Sequence, residues 1–433
     1  MIASVSGIRG VLNEDVSLED IARFASNFAG MVGSGEILIA RDTRSTGPAI
    51  ARTVASALMS RGVNVIDYGV VSTPALFRES LVRRRPGIMI TASHNEPEFN
   101  GLKFVVDGTG STREIVEAST KEGKPAQMSF GAGALTKRPK TSYNDDLVKK
   151  FGDGSCKGVK VALDLGGGAA IFHAVPILQR LGCGVLPING SPGIFNRKVD
   201  PMSDELLALR GVVKSEECDV GFGFDCDGDR LCVVDDNGVK RSGDFMLTLA
   251  LARMLRESGE KKVVVSQDTT VAIDEVLAKH NGQVFRSKVG EANVVGMMQE
   301  KGANLGGEGS SGGLIERTFN NCRDSMLAAL QIVGGLKEDG TKFYSSVKSY
   351  HQERGAVRIS RRKIASVVRA LAQSSKGADT TDGVKIWLSR RSWVLVRPSN
   401  TEDVARVSAE AESQSEAKQI VEKYTGKIRE LSR

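Results

Sequence analysis

The chain has 433 residues, enough for about three domains at roughly 150 residues each. With 40% apolar and 26% charged residues and a formal charge of only +7, its composition excludes a disordered chain. No run approaches the roughly 18 uninterrupted apolar residues of a membrane span, and the opening MIASVSGIRG lacks the basic-then-apolar plan of a signal peptide, so a soluble protein is expected. The 59 basic residues slightly exceed the 52 acidic ones and form no dense run, which suits anionic small molecules better than nucleic acid. Six cysteines (Cys156, Cys183, Cys218, Cys226, Cys232 and Cys322) form no C-x-x-C pair and read as reduced thiols of a cytoplasmic protein.

In chain order, Leu18, Ile21, Phe24, Phe28 and Met31 recur at helical spacing, and Ile37–Ala40 follows as a short buried strand. A helix over Ala49–Met59, a strand over Val63–Ile66, a helix opened by Pro74 and the apolar run Gly87–Ile90 continue the alternation. Such alternation predicts parallel strands joined by helices. The polar stretch Gly108–Thr141 reads as a loop or helix hairpin leading to a second unit. There Val159–Leu163, Gly184–Ile188 and Val220–Phe224 are predicted strands, with a helix over Ala169–Leu181.

A third unit carries helices over Asp244–Arg256, Val271–His280 and from Glu291, with strands at Val263–Ser266 and Val284–Phe285 and a Gly-rich loop at Gly306–Gly313. The tail changes grammar. Strands at Asp382–Leu388, Trp393–Val396 and Val404–Ala409 precede a closing helix, with Ser413 and Glu416 in capping-box spacing and Ile420, Tyr424, Ile428 and Leu431 on one face. No sequence repeat is visible, so any kinship among the three α/β units would be structural.

Four stretches carry residue types suited to chemistry. Thr91-Ala92-Ser93-His94-Asn95 follows the run Gly87–Ile90, with Lys103 further on. At the carboxyl end of a parallel strand Ser93 is placed as a nucleophile or phosphate acceptor, and a Ser/Asn turn with a solvated histidine fits equally. In Asp225-Cys226-Asp227-Gly228-Asp229-Arg230 three carboxylates at i, i+2 and i+4 can curl onto one point. Two unit charges 4 Å apart repel by about 4 kcal/mol at an effective dielectric near 20. Three bunched carboxylates therefore call for a cation, and oxygen-only ligands point to Mg²⁺; the alternative is a splayed acidic turn. An EF-hand is excluded, because Arg230 and Asp236 stand where its Gly and Glu belong.

Gly307, Gly309 and Gly312 match G-x-G-x-x-G, but Leu314–Phe319 is no helix start, so the dinucleotide fingerprint fails. A mobile loop offering Glu308 and Ser310 to hydroxyl groups is one reading, a plain flexible loop the other. Arg397-Pro398-Ser399-Asn400-Thr401 can cradle a phosphate through the Arg fork and neighbouring hydroxyl and amide groups, or form an exposed turn.

Together with Ser6-Gly7-Ile8-Arg9-Gly10 and Lys288-Val289-Gly290-Glu291, these segments in this order resemble the α-D-phosphohexomutase superfamily, the phosphoglucomutase, phosphomannomutase and phosphoglucosamine mutase enzymes. The resemblance covers nearly the whole chain. It implies an α/β protein of heart-shaped, four-domain architecture: three similar mixed α/β domains over 1–142, 143–241 and 242–352 and a smaller C-terminal α+β domain over 353–433. It implies a phosphoserine at Ser93 and Mg²⁺ held by Asp225, Asp227 and Asp229 and by the Ser93 phosphate. It further implies sugar contacts at Glu308 and Ser310 and a phosphate loop at Arg397, Ser399, Asn400 and Thr401. Arg9, Lys103, Arg230 and Lys288 match cleft positions.

The reaction so implied runs through a sugar bisphosphate, which also serves as activator. Phosphoserine 93 donates to a hexose monophosphate, the bisphosphate turns over, and Ser93 takes back the other phosphate. Lys103 is the candidate for proton handling, with His94 or Arg9 as helpers. Glucosamine phosphate is the preferred substrate, ahead of glucose or mannose phosphate, and the protein is expected as a monomer or homodimer. A phosphopentomutase, a nucleotide- or dinucleotide-binding α/β enzyme (from Gly166–Gly168 after a strand) and a silent phosphosugar-binding protein are the alternatives. Three departures stand out: an extra residue in Gly307–Gly313 with Gly313 near the place of the family's usual His, Cys226 where Gly is usual, and Glu96 between Asn95 and Pro97.

Overall fold

The structure is a computed structural model that describes residues 1–5, 7–123, 132–138, 140–399 and 403–432. The first unit runs β1 (Ile2–Ser4), β2 (Gly7–Val11), α1 (Leu18–Val32), β3 (Glu36–Arg41), α2 (Gly47–Met59), β4 (Asn64–Val70), α3 (Thr73–Arg83), β5 (Gly87–Ile90), β6 (Phe99–Val106), β7 (Thr109–Gly110), α4 (Arg113–Thr120) and β8 (Leu135–Lys137). Its sheet has the order β1-β2-β6-β5-β3-β4-β8, with β7 against β6. The second unit runs α5 (Tyr143–Phe151), β9 (Lys160–Asp164), α6 (Ala174–Arg180), β10 (Gly184–Ile188), α7 (Leu207–Ser215), β11 (Val220–Phe224) and β12 (Leu231–Asp235).

The third unit runs α8 (Gly243–Ser258), β13 (Lys262–Ser266), α9 (Ala272–Lys279), β14 (Gln283–Ser287), α10 (Glu291–Lys301), β15 (Leu305–Glu308), β16 (Gly313–Glu316) and α11 (Ser325–Asp339). The last comprises β17 (His351–Arg358), α12 (Arg361–Gln373), β18 (Val384–Trp387), β19 (Trp393–Pro398), β20 (Val404–Ala411) and α13 (Gln414–Leu431), its sheet an antiparallel β17-β20-β19-β18.

One strand pattern occurs three times: β4-β3-β5-β6, β10-β9-β11-β12 and β14-β13-β15-β16. In each, the first three strands are parallel and the fourth is antiparallel. The kinship that no repeat disclosed is thus topological. It also places the chemistry. Ser93, the three aspartates and the Gly309–Ser311 turn each lie in the connection from the third strand to the fourth, at the carboxyl edge where parallel sheets gather ligands.

One continuous apolar core joins the first three units, from Leu38, Leu76 and Met89 through Val161 and Phe222 to Leu247 and Leu330. Helices α8 and α11 sit at its centre, buried nearly all round because their sequences are apolar on every face. The fourth unit has its own core between its sheet and α12 and α13. Its link to the third unit includes polar contacts: Lys385 Nζ donates to the Gln267 carbonyl (2.6 Å) and Val271 N to Glu410 Oε1 (2.8 Å).

Several elements differ from the sequence reading. The helix expected over Ala169–Leu181 is a 3₁₀ turn, Ala169–Phe172, followed by α6, because the Pro176 ring cannot pack against the residue 172 carbonyl of an unbroken helix. Gly306–Gly313 is not an open loop: β15 and β16 pair on either side of a 3₁₀ turn at Gly309–Ser311, and Glu308 is buried. Within Gly108–Thr141, expected as a loop or helix hairpin, the described residues form the single helix α4 with the short strands β7 and β8. Leu431 is 49% exposed and leaves the buried face that Ile420, Tyr424 and Ile428 share.

Candidate active site

Ser93 occupies the turn leaving β5 with φ +52°, a left-handed backbone uncommon for a residue with a Cβ. Its N–H donates to Thr91 Oγ1 (2.8 Å), and the Thr91 hydroxyl donates to Asp42 Oδ2 (2.7 Å). Arg44, fully buried beside Asp42, reaches across from the end of β3. It donates to the carbonyls of Ser93 (2.7 Å), Asn95 (2.6 Å), Glu96 (2.5 Å) and Phe99 (2.9 Å). One guanidinium thus fixes the whole serine loop, the inserted Glu96 included. Burial pushes the Asp42 carboxyl above its ordinary range, against the pull of Arg44.

Ser93 Oγ donates to Asp225 Oδ2 (2.9 Å), so the two loops meet at the serine. Asp225 Oδ1 accepts from the backbone N–H groups of Asp229 (3.0 Å) and Arg230 (3.1 Å), which curls the loop back on itself. Asp227 Oδ2 accepts from Thr73 Oγ1 (2.5 Å) and Lys103 Nζ (2.8 Å). Asp229 Oδ2 accepts from Lys103 Nζ (2.9 Å) and an Arg323 nitrogen (2.8 Å). The other oxygens, Asp227 Oδ1 and Asp229 Oδ1, are buried and accept no hydrogen bond from the described residues, although Arg230 Nε stands 4.0 Å from Asp229 Oδ1. One ligand oxygen from each of the three aspartates lies within 4.8 Å of the others.

Buried carboxylate oxygens without donors are costly unless a cation takes them. The triad therefore fits a divalent ion with oxygen ligands. Burial and the facing Asp227 and Asp229 push Asp225 well above the carboxylate range, the electrostatic mark of crowded negative charge. Cys226 turns the other way, its Sγ 3.7 Å from Thr43 Oγ1.

A cationic rim surrounds this centre. Arg9 donates to Asn95 Oδ1 (2.8 Å), and burial lowers its pKa to about 10. Arg230 lies 3.5 Å from Asp200 and 3.4 Å from His94 Nε2. Burial, with Arg230 and Arg9 nearby, lowers the His94 pKa to about 2 and keeps the ring neutral. Burial disfavours the Lys103 ammonium, yet Asp227 and Asp229 outweigh it and raise the pKa.

The remaining expected residues sit further out. Glu308 accepts from Gly290 N (2.6 Å) and pairs with Arg323 (3.3 Å), so its carboxylate is internally engaged, not free in a loop. Ser310 and Arg397 line a cleft of about 960 Å³ between the third and fourth units, with Asp268, Val289, Arg354 and Arg358. Ser93 and the aspartates do not line it; they are buried. Lys288 is exposed between β14 and α10, while Ser399 is buried and its N–H donates to the Val404 carbonyl (2.9 Å). Asn400 and Thr401 lie outside the described residues.

Sequence reasoning missed Asp42, Arg44, Thr73 and Arg323. For Arg44 a signal existed, since Asp42-Thr43-Arg44 follows a strand of the same sheet as Ser93.

Comparison with known proteins decides the family. Models described as phosphoglucomutase/phosphomannomutase alpha/beta/alpha domains I, II and III match residues 1–124, 141–238 and 242–353, and the C-terminal domain model matches 356–426. The chain belongs to this family. A Methanopyrus kandleri protein named "Probable phosphoglucosamine mutase" is 32% identical, covering 98% of this chain and 97% of its own.

A phosphoglucomutase/phosphomannomutase family structure from Burkholderia thailandensis superposes with TM-score 0.84 at 23% identity, covering 99% of this chain and 98% of its own. An Aspergillus fumigatus N-acetylphosphoglucosamine mutase, solved with GlcNAc-6P and magnesium, gives TM-score 0.57 at 16% identity over 91% of this chain and 82% of its own. These likenesses concern the fold. The phosphohexomutase is thus an isomerase that moves a phosphoryl group within a phosphosugar. With the family assigned, the dinucleotide alternative falls: Gly166–Gly168 lies within the match to domain II, and β16, a strand, follows the Gly-rich turn at 306–313. Among the described residues no helix is long and apolar enough to cross a membrane.

Proposed function

We propose that this phosphohexomutase interconverts glucosamine 1-phosphate and glucosamine 6-phosphate, with Mg²⁺, through a phosphoserine at Ser93. The observation that carries the reading is Ser93 Oγ at 2.9 Å from Asp225, beside the two undonated oxygens of Asp227 and Asp229. The name shared by relatives about 32% identical supports the choice of amino sugar. Asp225, Asp227, Asp229 and an oxygen on Ser93 would hold Mg²⁺, which when bound neutralises charge on the transferring phosphoryl oxygens.

Phosphorylated Ser93 gives its PO₃ group to the free hydroxyl of the hexosamine phosphate. The acceptor loses its proton and Ser93 Oγ recovers one, leaving a bisphosphate. Lys103 moves the proton at the acceptor hydroxyl, assisted by Arg9 or His94, once a cation on Asp227 and Asp229 offsets the charge that holds its ammonium, and Arg230 steadies the negative charge that builds on the phosphoryl oxygens. The bisphosphate turns over, and Ser93 Oγ takes the second phosphate. Arg397, Ser399, Asn400 and Thr401 hold the phosphate that is not reacting, Lys288 contacts phosphate, and Glu308 and Ser310 read the sugar hydroxyls. Added bisphosphate primes the serine. The domain division at 142, 241 and 352 belongs to the same reading, supported by the separate sheets of the four units, although β17 of the fourth sheet begins at His351, two residues before the last division.

The test is a panel of glucosamine, glucose, mannose and pentose 1-phosphates with Mg²⁺ and a trace of bisphosphate. We expect the highest kcat/KM for glucosamine 1-phosphate and loss of turnover on chelation, restored by Mg²⁺. No turnover with any member would overturn the reading. Arg397→Ala is expected to raise KM about 10- to 100-fold with kcat little changed, since a charged hydrogen-bond donor contributes about 1.5–3 kcal/mol to a bound phosphate. Unchanged KM contradicts its role.

A further inference from the structure

Arg323, just ahead of α11, is buried, yet its guanidinium meets three carboxylates from three elements. It donates to Asp229 Oδ2 in the aspartate loop (2.8 Å) and to Glu308 Oε2 at the end of β15 (3.3 Å). Its Nε lies 3.2 Å from Glu291 Oε2 at the start of α10, and the same oxygen accepts the Arg323 N–H (2.9 Å). The planar fork donates to two acceptors and pairs by charge with the third, a geometry a lysine cannot copy.

The stem of this side chain lies on Gly313. A Cβ at Gly313 would stand 2.2 Å from Arg323 Cδ and 2.5 Å from Cγ, closer than atoms can approach. The histidine that the resemblance leads one to expect near this position therefore has no room here. Arg323 fills that space, and the bare glycine is what admits it.

Both ends of the site depend on this contact. With Oδ2 of Asp229 taken by Lys103 and Arg323, Oδ1 is the oxygen left without a donor. With Gly290 N on Oε1 and Arg323 on Oε2, the Glu308 carboxylate has one orientation. We propose that Arg323 is a positioning residue that sets the metal-binding aspartate and the sugar-reading glutamate in one register, and that Gly313 is kept bare to admit it. The proposal rests on the reading of Asp229 and Glu308 given above.

Arg323→Met keeps the stem and removes the charge. Loss of the donor that holds Asp229 Oδ2 and leaves Oδ1 for the ion is expected to weaken Mg²⁺ binding about tenfold, read by calorimetry on the protein without substrate. KM for the sugar phosphate is expected to rise about tenfold as Glu308 loses its partner. A merely structural role would lower the unfolding midpoint and leave both constants in place. Gly313→Ala, which displaces the stem, is expected to reproduce the KM defect, and Gly313→Ala/Arg323→Met to be no worse than the more affected single variant. Unchanged Mg²⁺ affinity and KM in Arg323→Met, or additive KM defects in the double variant, would overturn the proposal. Absence of mutase turnover in the unaltered protein would instead strike the functional reading, while the calorimetric comparison still tests the Arg323–Asp229 contact.

Discussion

Ser93→Ala loses about 10⁴-fold or more in kcat, as removal of a covalent nucleophile does, while the protein stays folded and still binds sugar phosphate. The backbone gives no reason for misfolding. Serine and alanine both carry a Cβ, so the left-handed φ of +52° is equally strained in either, and Arg44 holds the loop through carbonyls that the substitution leaves in place. Among the described residues, the interaction lost is the hydrogen bond to Asp225. Phosphorylation breaks that same bond, because the phosphoryl group replaces the hydroxyl proton. Steady-state turnover beside calorimetric binding of the sugar phosphate checks the prediction. Retained turnover above a trace contradicts it.

Arg44→Met is the substitution expected to harm the fold most. It leaves Asp42 buried without its cation, a loss on the order of 3–5 kcal/mol for a broken buried pair. It also strips donors from four carbonyls of the loop 91–99. We expect a lowered unfolding midpoint, faster amide exchange over 91–99 and a fall in kcat, although Arg44 touches no substrate. Adding Asp42→Asn removes the stranded charge and is expected to restore part of the stability but not the turnover. A variant with the unfolding midpoint and kcat of the parent would show that the loop is held by other means.

How far the sequence disclosed this molecule depends on the kind of signal. Short apolar runs marked strands well: Val220–Phe224 and Gly87–Ile90 lie where their residues predict, because strands covered on both faces read as continuous apolar segments. Helix α11 escaped notice because a helix apolar all round has no amphipathic period and its first turn carries no acidic residue, whereas α8, equally buried, is marked by Asp244 in its first turn and Arg256 in its last. Strand β6 was hidden by Lys103, a charge in an otherwise buried strand whose partners, Asp227 and Asp229, come from another unit.

The Gly-rich stretch misled for a related reason. Composition suggested mobility, whereas its glycines answer to close packing: a Cβ at Gly309 would stand 1.9 Å from Asp244 Oδ1. The site itself was legible where residues cluster in sequence, as in the aspartate loop. It was not legible where a lone arginine gathers acceptors from distant segments, as Arg44 and Arg323 do.

The most direct test of the account is to locate the phosphoryl group. The protein is incubated with a hexosamine bisphosphate and Mg²⁺, digested, and its peptides weighed. We predict one added PO₃ group, confined to the peptide containing Ser93, absent from Ser93→Ala and discharged by unlabelled hexosamine monophosphate. Turnover of the sugar phosphate with that peptide unmodified, or with the group on another residue, would contradict the account.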